Sequence, residues 1–185
     1  MNDTGLLLID LQNDYFPGGA FELDRAEAAC ANAGAVLSRF RSQGAPVVHV
    51  RHESVQPGAT FFLPGTPGAQ IHPLVAPLPD ETVVLKHFPN GFRETGLGDR
   101  LRELGVKHLV VAGMMTNMCV DATVRAAFDF GFAATVLHDA CAARALTFED
   151  LDIPAPQVHG AFLAALGMAY AKVVSSEDFL GKKGR

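Results

Sequence analysis

His108-Leu109-Val110-Val111-Ala112-Gly113-Met114-Met115-Thr116-Asn117-Met118-Cys119-Val120 is the stretch on which the fold turns. A run of leucine and β-branched residues ends at a glycine. Helical spacing then begins, with Val120, Val124, Ala127 and Phe128 on one stripe that stops before Gly131. The first part is continuously apolar rather than alternating. That is the pattern of a strand buried on both faces of a parallel sheet.

The same alternation extends in both directions. Leu6 to Ile9 ends at Asp10, Pro46 to Val50 is a second run, and Thr82 to Leu85 ends at Lys86. Ala134 to Leu137 ends at His138-Asp139, and Val173-Val174 is a weaker sixth run. Between them lie helical stripes: Ala29, Ala33, Val36, Leu37 and Phe40; then Leu97, Leu101 and Leu104, stopping at Gly105; then Val158, Ala161, Phe162, Ala165, Leu166 and Ala169. Strands alternating with helices predict an α/β fold with right-handed crossovers. The 185 residues fit one domain, 1–185, without internal repeats.

Composition narrows the function. Hydrophobic residues make up 49% and charged residues 19%, which excludes a disordered chain. The net charge is −5, and the one basic cluster is Lys182-Lys183-Gly184-Arg185. Nucleic acid and anionic membrane are therefore not the expected partners; a small-molecule substrate is. Three cysteines, Cys30, Cys119 and Cys141, are not a disulfide framework and fit a reducing cytosol. Met1-Asn2-Asp3-Thr4 carries no basic n-region, and no apolar stretch approaches the roughly 20 residues of a membrane helix. A cytoplasmic protein is expected. A mean hydropathy of +0.18 points to apolar surface covered by another subunit.

Residues 51–81 break the rhythm, with six of the eleven prolines. A loop this long is expected to form a pocket or a subunit contact, with Phe61 and Phe62 as candidates to cover a site. Ligands of open α/β sheets bind beyond the carboxyl ends of the strands. There an acid (Asp10), an amine (Lys86) and a thiol (Cys119) converge at one edge. Cys119 falls just inside a helix start, where the dipole and a nearby ammonium are expected to lower its pKa. Asp10 then accepts the thiol proton and returns it to a leaving amine. Backbone N–H groups of Cys119 and of the preceding turn hold the oxyanion. Each residue also has an ordinary use: cysteine as buried filler, aspartate as a turn residue, lysine as a solvated strand end. Spacing alone leaves both readings open. Cys30 and Cys141 are expected to be filler.

Taken together, Leu8-Ile9-Asp10-Leu11-Gln12-Asn13-Asp14-Tyr15-Phe16, Lys86 with Phe92 after it, the Gly113 to Thr123 turn, Gly131 and Asp139-Ala140 resemble the isochorismatase-like cysteine hydrolase superfamily. The likeness spans roughly residues 5 to 175. It implies a three-layer α/β/α sandwich around a roughly six-stranded parallel sheet. It also implies a catalytic triad of Asp10, Lys86 and Cys119. A cis peptide is implied between Met114 and Met115, aiming the Met115 N–H, with that of Cys119, into the oxyanion hole.

Within that family the cysteine points to the C–N hydrolases: nicotinamidases, N-carbamoylsarcosine amidases and ureidoacrylate-type amidohydrolases. The expected reaction is hydrolysis of a small amide or ureide through a thioester, without a cofactor. Nicotinamidases often hold a metal through an Asp-x-His pair after the second strand. Here that stretch reads His49-Val50-Arg51-His52-Glu53-Ser54, and His49 and His52 lie on opposite faces of a strand. No metal site is expected. Phe16, His52, Phe61 and Phe92 are the candidate pocket residues. Two alternatives stand beside this reading: a nicotinamidase with an altered metal site, and a non-catalytic small-molecule binding module on the same fold. A Rossmann nucleotide site is a weaker reading still, because no Gly-x-Gly-x-x-Gly follows the first strand. Family members are commonly dimers or larger, so a homo-oligomer is expected.

Overall fold

Leu6 and Leu8 pack to one side of the first strand, and Leu7 and Ile9 to the other. This two-residue period places apolar side chains on both faces, which is why the run reads as continuous. The computed structural model describes residues 3–181; Met1-Asn2 and the basic cluster Lys182 to Arg185 lie outside it.

The strands are β1 (Thr4–Ile9), β2 (Val47–His52), β3 (Thr82–Lys86), β4 (His108–Met114), β5 (Ala133–Ala142), β6 (Leu146–Phe148), β7 (Leu151–Ile153) and β8 (Lys172–Val174). The helices are α1 (Ala26–Ser42), α2 (Leu97–Glu103), α3 (Asp121–Asp129), α4 (Ala155–Ala169) and α5 (Ser176–Phe179). One π-helical turn, Thr116–Val120, joins β4 to α3. Six strands form a parallel sheet in the order β3-β2-β1-β4-β5-β8. Helix α1 packs on one face through Val36, Leu37 and Phe40. Leu97 and Leu101 of α2, Val124 of α3 and Leu166 of α4 pack on the other.

The strand order reverses between β1 and β4: β2 and β3 extend one way from β1, β5 and β8 the other way from β4. A reversal of this kind opens a crevice beyond the strand ends. The register pairs Ile9 with Gly113, so Asp10 and Met114 leave the sheet side by side. Gly113 has φ +150°, and a Cβ there would lie 2.2 Å from the carbonyl oxygen of Ile9. Only glycine allows this approach. Asp10 itself has φ +50°, a left-handed conformation that aspartate tolerates better than most residues.

The proline-rich excursion is docked, not loose. Gln12, fully buried, donates from Nε2 to the carbonyls of His52 (2.8 Å) and Ala69 (2.9 Å). Its Oε1 accepts from the His52 N–H at 2.7 Å. Asp14 accepts from the Phe62 N–H at 2.6 Å, which places Phe61 and Phe62 over the strand ends. A small antiparallel hairpin, β6–β7, was not anticipated from the sequence. Its Phe148 and Leu151 are exposed, so no burial pattern announced it.

Replacing Gln12 by Leu orphans one buried N–H and two carbonyls at once. We expect it to destabilise the fold by about 2–4 kcal/mol, read from urea denaturation. A loss below 0.5 kcal/mol would show that the excursion is not anchored there.

Candidate active site

Lys86 ends the edge strand β3 and is 1% exposed. Its register partner on β2 is His52, so both side chains enter the same crevice. The Lys86 Nζ lies 2.7 Å from Asp10 Oδ2, 2.7 Å from His52 Nδ1 and 3.2 Å from Cys119 Sγ. An ammonium has three hydrogens, and here it has three acceptors. The structure thus brings Asp10, Lys86 and Cys119 together, with His52 as a fourth member.

The charges follow from this geometry. Burial alone would lower the Lys86 pKa, but the Asp10 carboxylate and the Cys119 sulfur reverse that and leave it raised. Burial raises Asp10, and Lys86 only partly offsets it. Burial, with the Lys86 charge and then His87, pushes His52 down to about 3, so its imidazole is neutral. Cys119 departs from the sequence expectation. Burial and then the Asp10 carboxylate raise its pKa, and these outweigh Lys86, which lowers it. In the resting site the thiol keeps its proton beside an acceptor, Asp10.

Cys119 lies in the floor of a cavity of about 440 Å³. His52 and Phe61 line it, as expected from the sequence. Phe16 and Phe92 do not. Phe16 is buried below, with its ring stacked on His72 at 4.0 Å. Phe92 packs on Phe130 and Phe132 beside α2, at a separate, smaller depression. Both residues sit near the motifs in sequence, but their side chains are drawn into neighbouring aromatic clusters. Tyr15, Ser54, Phe88 and Met118 line the cavity without having been singled out for it. Tyr15 was legible as part of the first motif; the others carry no local signal. Cys30 and Cys141 are buried free thiols, each pushed up to about 12 mainly by burial.

The turn between β4 and Cys119 contains a cis peptide, Met114-Met115. The oxygen of Met115 accepts from the N–H groups of Met118 and Val120, both at 3.1 Å. Thr116 is fully buried and bonded to the Ala142 carbonyl (3.1 Å) and to His159 Nδ1 (2.8 Å).

A metal does not fit these residues. Asp10, His52 and Cys119 present possible ligand atoms within 4.8 Å of one another. The Lys86 ammonium already bonds to all three, so a divalent cation there would face a fixed positive charge. His49, three residues earlier, is buried on the other face of the sheet and bonds to Glu81 Oε2 at 2.9 Å.

Comparison with known proteins gives the class. The isochorismatase domain model matches residues 4–177. The chain belongs to the isochorismatase family of hydrolases. Its sequence is 52% identical to an uncharacterized isochorismatase family protein of Bacillus subtilis, over 96% of this chain and 98% of that one. It is 38% identical to a streptothricin hydrolase of Streptomyces noursei, over 90% of this chain and 57% of that one. Its fold matches the crystal structure of a candidate isochorismatase hydrolase from Oleispira antarctica, with a TM-score of 0.94, 50% identity and 97% of each chain covered. Among the described residues no helix is long and apolar enough to cross a membrane.

The raised thiol predicts a pH response. Alkylation of Cys119 by iodoacetamide, mapped by mass spectrometry, should climb from pH 6 to 9 without reaching a plateau. Asp10→Asn removes the neighbouring negative charge and should label roughly tenfold faster at pH 8; Lys86→Met should label more slowly. Fast wild-type labelling at pH 6 would contradict the assignment.

Proposed function

We propose that the protein hydrolyses a C–N bond of a small-molecule amide or ureide through a thioester on Cys119. The observation that carries this reading is the thiol in the cavity floor, 3.2 Å from a buried ammonium that also holds Asp10 at 2.7 Å. Streptothricin hydrolase among the relatives supports a hydrolase reading.

The substrate carbonyl enters above Cys119. Its carbon is attacked by Sγ as the S–H proton passes to Asp10. Asp10 is raised by burial, so it can accept and then release that proton. The carbonyl oxygen gains negative charge and is held by the N–H groups of Met115 and Cys119; among the described residues no acceptor takes the Met115 N–H. The C–N bond then breaks, and nitrogen leaves with the Asp10 proton as ammonia or an amine. Water attacks the thioester, giving one proton to Asp10. The acid is released, and the proton returns to the sulfur. Lys86 remains charged throughout. Its task is to offset the negative charge that moves between sulfur and carboxylate, and to fix both in place. No step needs a metal or an organic cofactor.

Cys119→Ala should lower ammonia release from a turned-over amide by at least about a thousandfold with the fold retained, at a somewhat lower melting temperature because Lys86 loses one acceptor. An acyl adduct on Cys119 should be trapped by acid quench and intact-protein mass spectrometry. Retained turnover in Cys119→Ala would overturn the nucleophile. Ligand binding without turnover of any amide would favour the binding-module alternative.

A further inference from the structure

The cavity above Cys119 contains no aspartate, glutamate, lysine or arginine in its lining. Its walls are chiefly rings and thioethers: Tyr15, Phe61, Phe62, Phe88, Met115 and Met118. The cations near it are already engaged. Lys86 spends its three hydrogens on Asp10, His52 and Cys119. Arg93 lies over the ring of Phe88, 3.6 Å from its centroid, and pairs with Glu94. A carboxylate bound here would be desolvated without a partner, which is costly.

Among the polar lining residues His52, Ser54, Gln56 and His87, His52 is the one held against Lys86. The Lys86 ammonium has no lone pair, so at 2.7 Å it can only donate, and His52 Nδ1 must accept. A neutral imidazole that accepts at Nδ1 carries its hydrogen on Nε2. Among the described residues the Nε2 atom has no hydrogen-bond partner, and His52 lines the cavity. The ring is held from behind as well, because the His52 backbone N–H and carbonyl are both bonded to Gln12. The second imidazole, His87, has its Nδ1–H directed to the Glu53 carbonyl at 2.8 Å.

We propose that Lys86 locks His52 as its Nε2–H tautomer, and that this hydrogen binds an acceptor on the acyl side of the substrate. The enzyme then selects uncharged amides whose flat, apolar acyl group carries a hydrogen-bond acceptor, and it rejects carboxylate-bearing ureides and N-carbamoyl amino acids. This deepens the hydrolase reading above and rests on it for the word substrate, but the lock and the selectivity are measurable without turnover.

Three amides of nearly one shape separate the contributions: benzamide, 3-acetylbenzamide and 3-carboxybenzamide. Their dissociation constants are measured by calorimetry on the full chain carrying Cys119→Ser, which keeps an acceptor for Lys86. We expect 3-acetylbenzamide to bind about tenfold tighter than benzamide, and at least about a hundredfold tighter than the carboxylate. In the His52→Phe, Cys119→Ser double variant the acetyl advantage over benzamide should fall to about one. The tautomer is read separately on the wild-type protein with ¹⁵N-histidine, where the Nε2 resonance of His52 should be the protonated one. Protonation at Nδ1 would overturn the lock. Binding of the carboxylate as tightly as the acetyl compound, or of none of the three, would overturn the selectivity. If binding follows the prediction but wild type neither acylates Cys119 nor releases ammonia, the hydrolase reading fails and the pocket assignment stands.

Discussion

A lysine ammonium buried without water survives only if its hydrogens are all taken by protein acceptors and a negative charge lies beside it. Lys86 meets both conditions through Asp10, His52 and Cys119. The surroundings are built to satisfy it. Asp10 directly follows β1, His52 ends β2, Lys86 ends β3, and Cys119 follows β4 by one turn. Four neighbouring strands of a parallel sheet all point the same way, so their carboxyl ends deliver these four side chains to one place. The reversal of strand order at β1 and β4 opens the space that the cavity fills. Removing any one acceptor leaves a charged donor unpartnered, which couples stability to chemistry at this edge.

The same interaction settles the protonation states. The ammonium keeps Asp10 paired and His52 neutral, yet it does not ionise Cys119, because burial and the carboxylate act against it. In the proposed reaction the nucleophile is therefore a poised thiol and not a standing thiolate. Activation is deferred until the carbonyl is in place and the proton has somewhere to go. A site of this kind shields its cysteine from casual alkylation and oxidation.

Much of this was legible in the sequence, and the limits are physical. The strands could be read because leucine and β-branched runs buried on both faces carry no polar interruption, and the triad residues because each closes or follows such a run. Val173-Val174 was faint because β8 is only three residues long. The hairpin Leu146–Ile153 was silent because its apolar side chains face outward. Pocket walls were harder. Phe61 and Phe62 lie over the site because Asp14, far away in sequence, binds the Phe62 N–H, a link with no local signature. Phe16 and Phe92 adjoin the motifs, yet stack elsewhere. The direction of the Cys119 shift also escaped a local reading. The helix start is a local cue; Lys86, Asp10 and burial all act through the tertiary fold, and burial with Asp10 outweighs Lys86.

The claim at the centre is that Lys86 stays an ammonium, fixed by three acceptors. Lysine-selective ¹⁵N NMR of the wild-type protein, titrated from pH 7 to pH 10.5, reads its protonation directly. The Lys86 Nζ resonance should remain that of a charged, slowly exchanging ammonium throughout. Loss of that proton below pH 8 would mean a neutral amine. Asp10 would then lack its counter-ion and His52 its lock, and the account would be wrong.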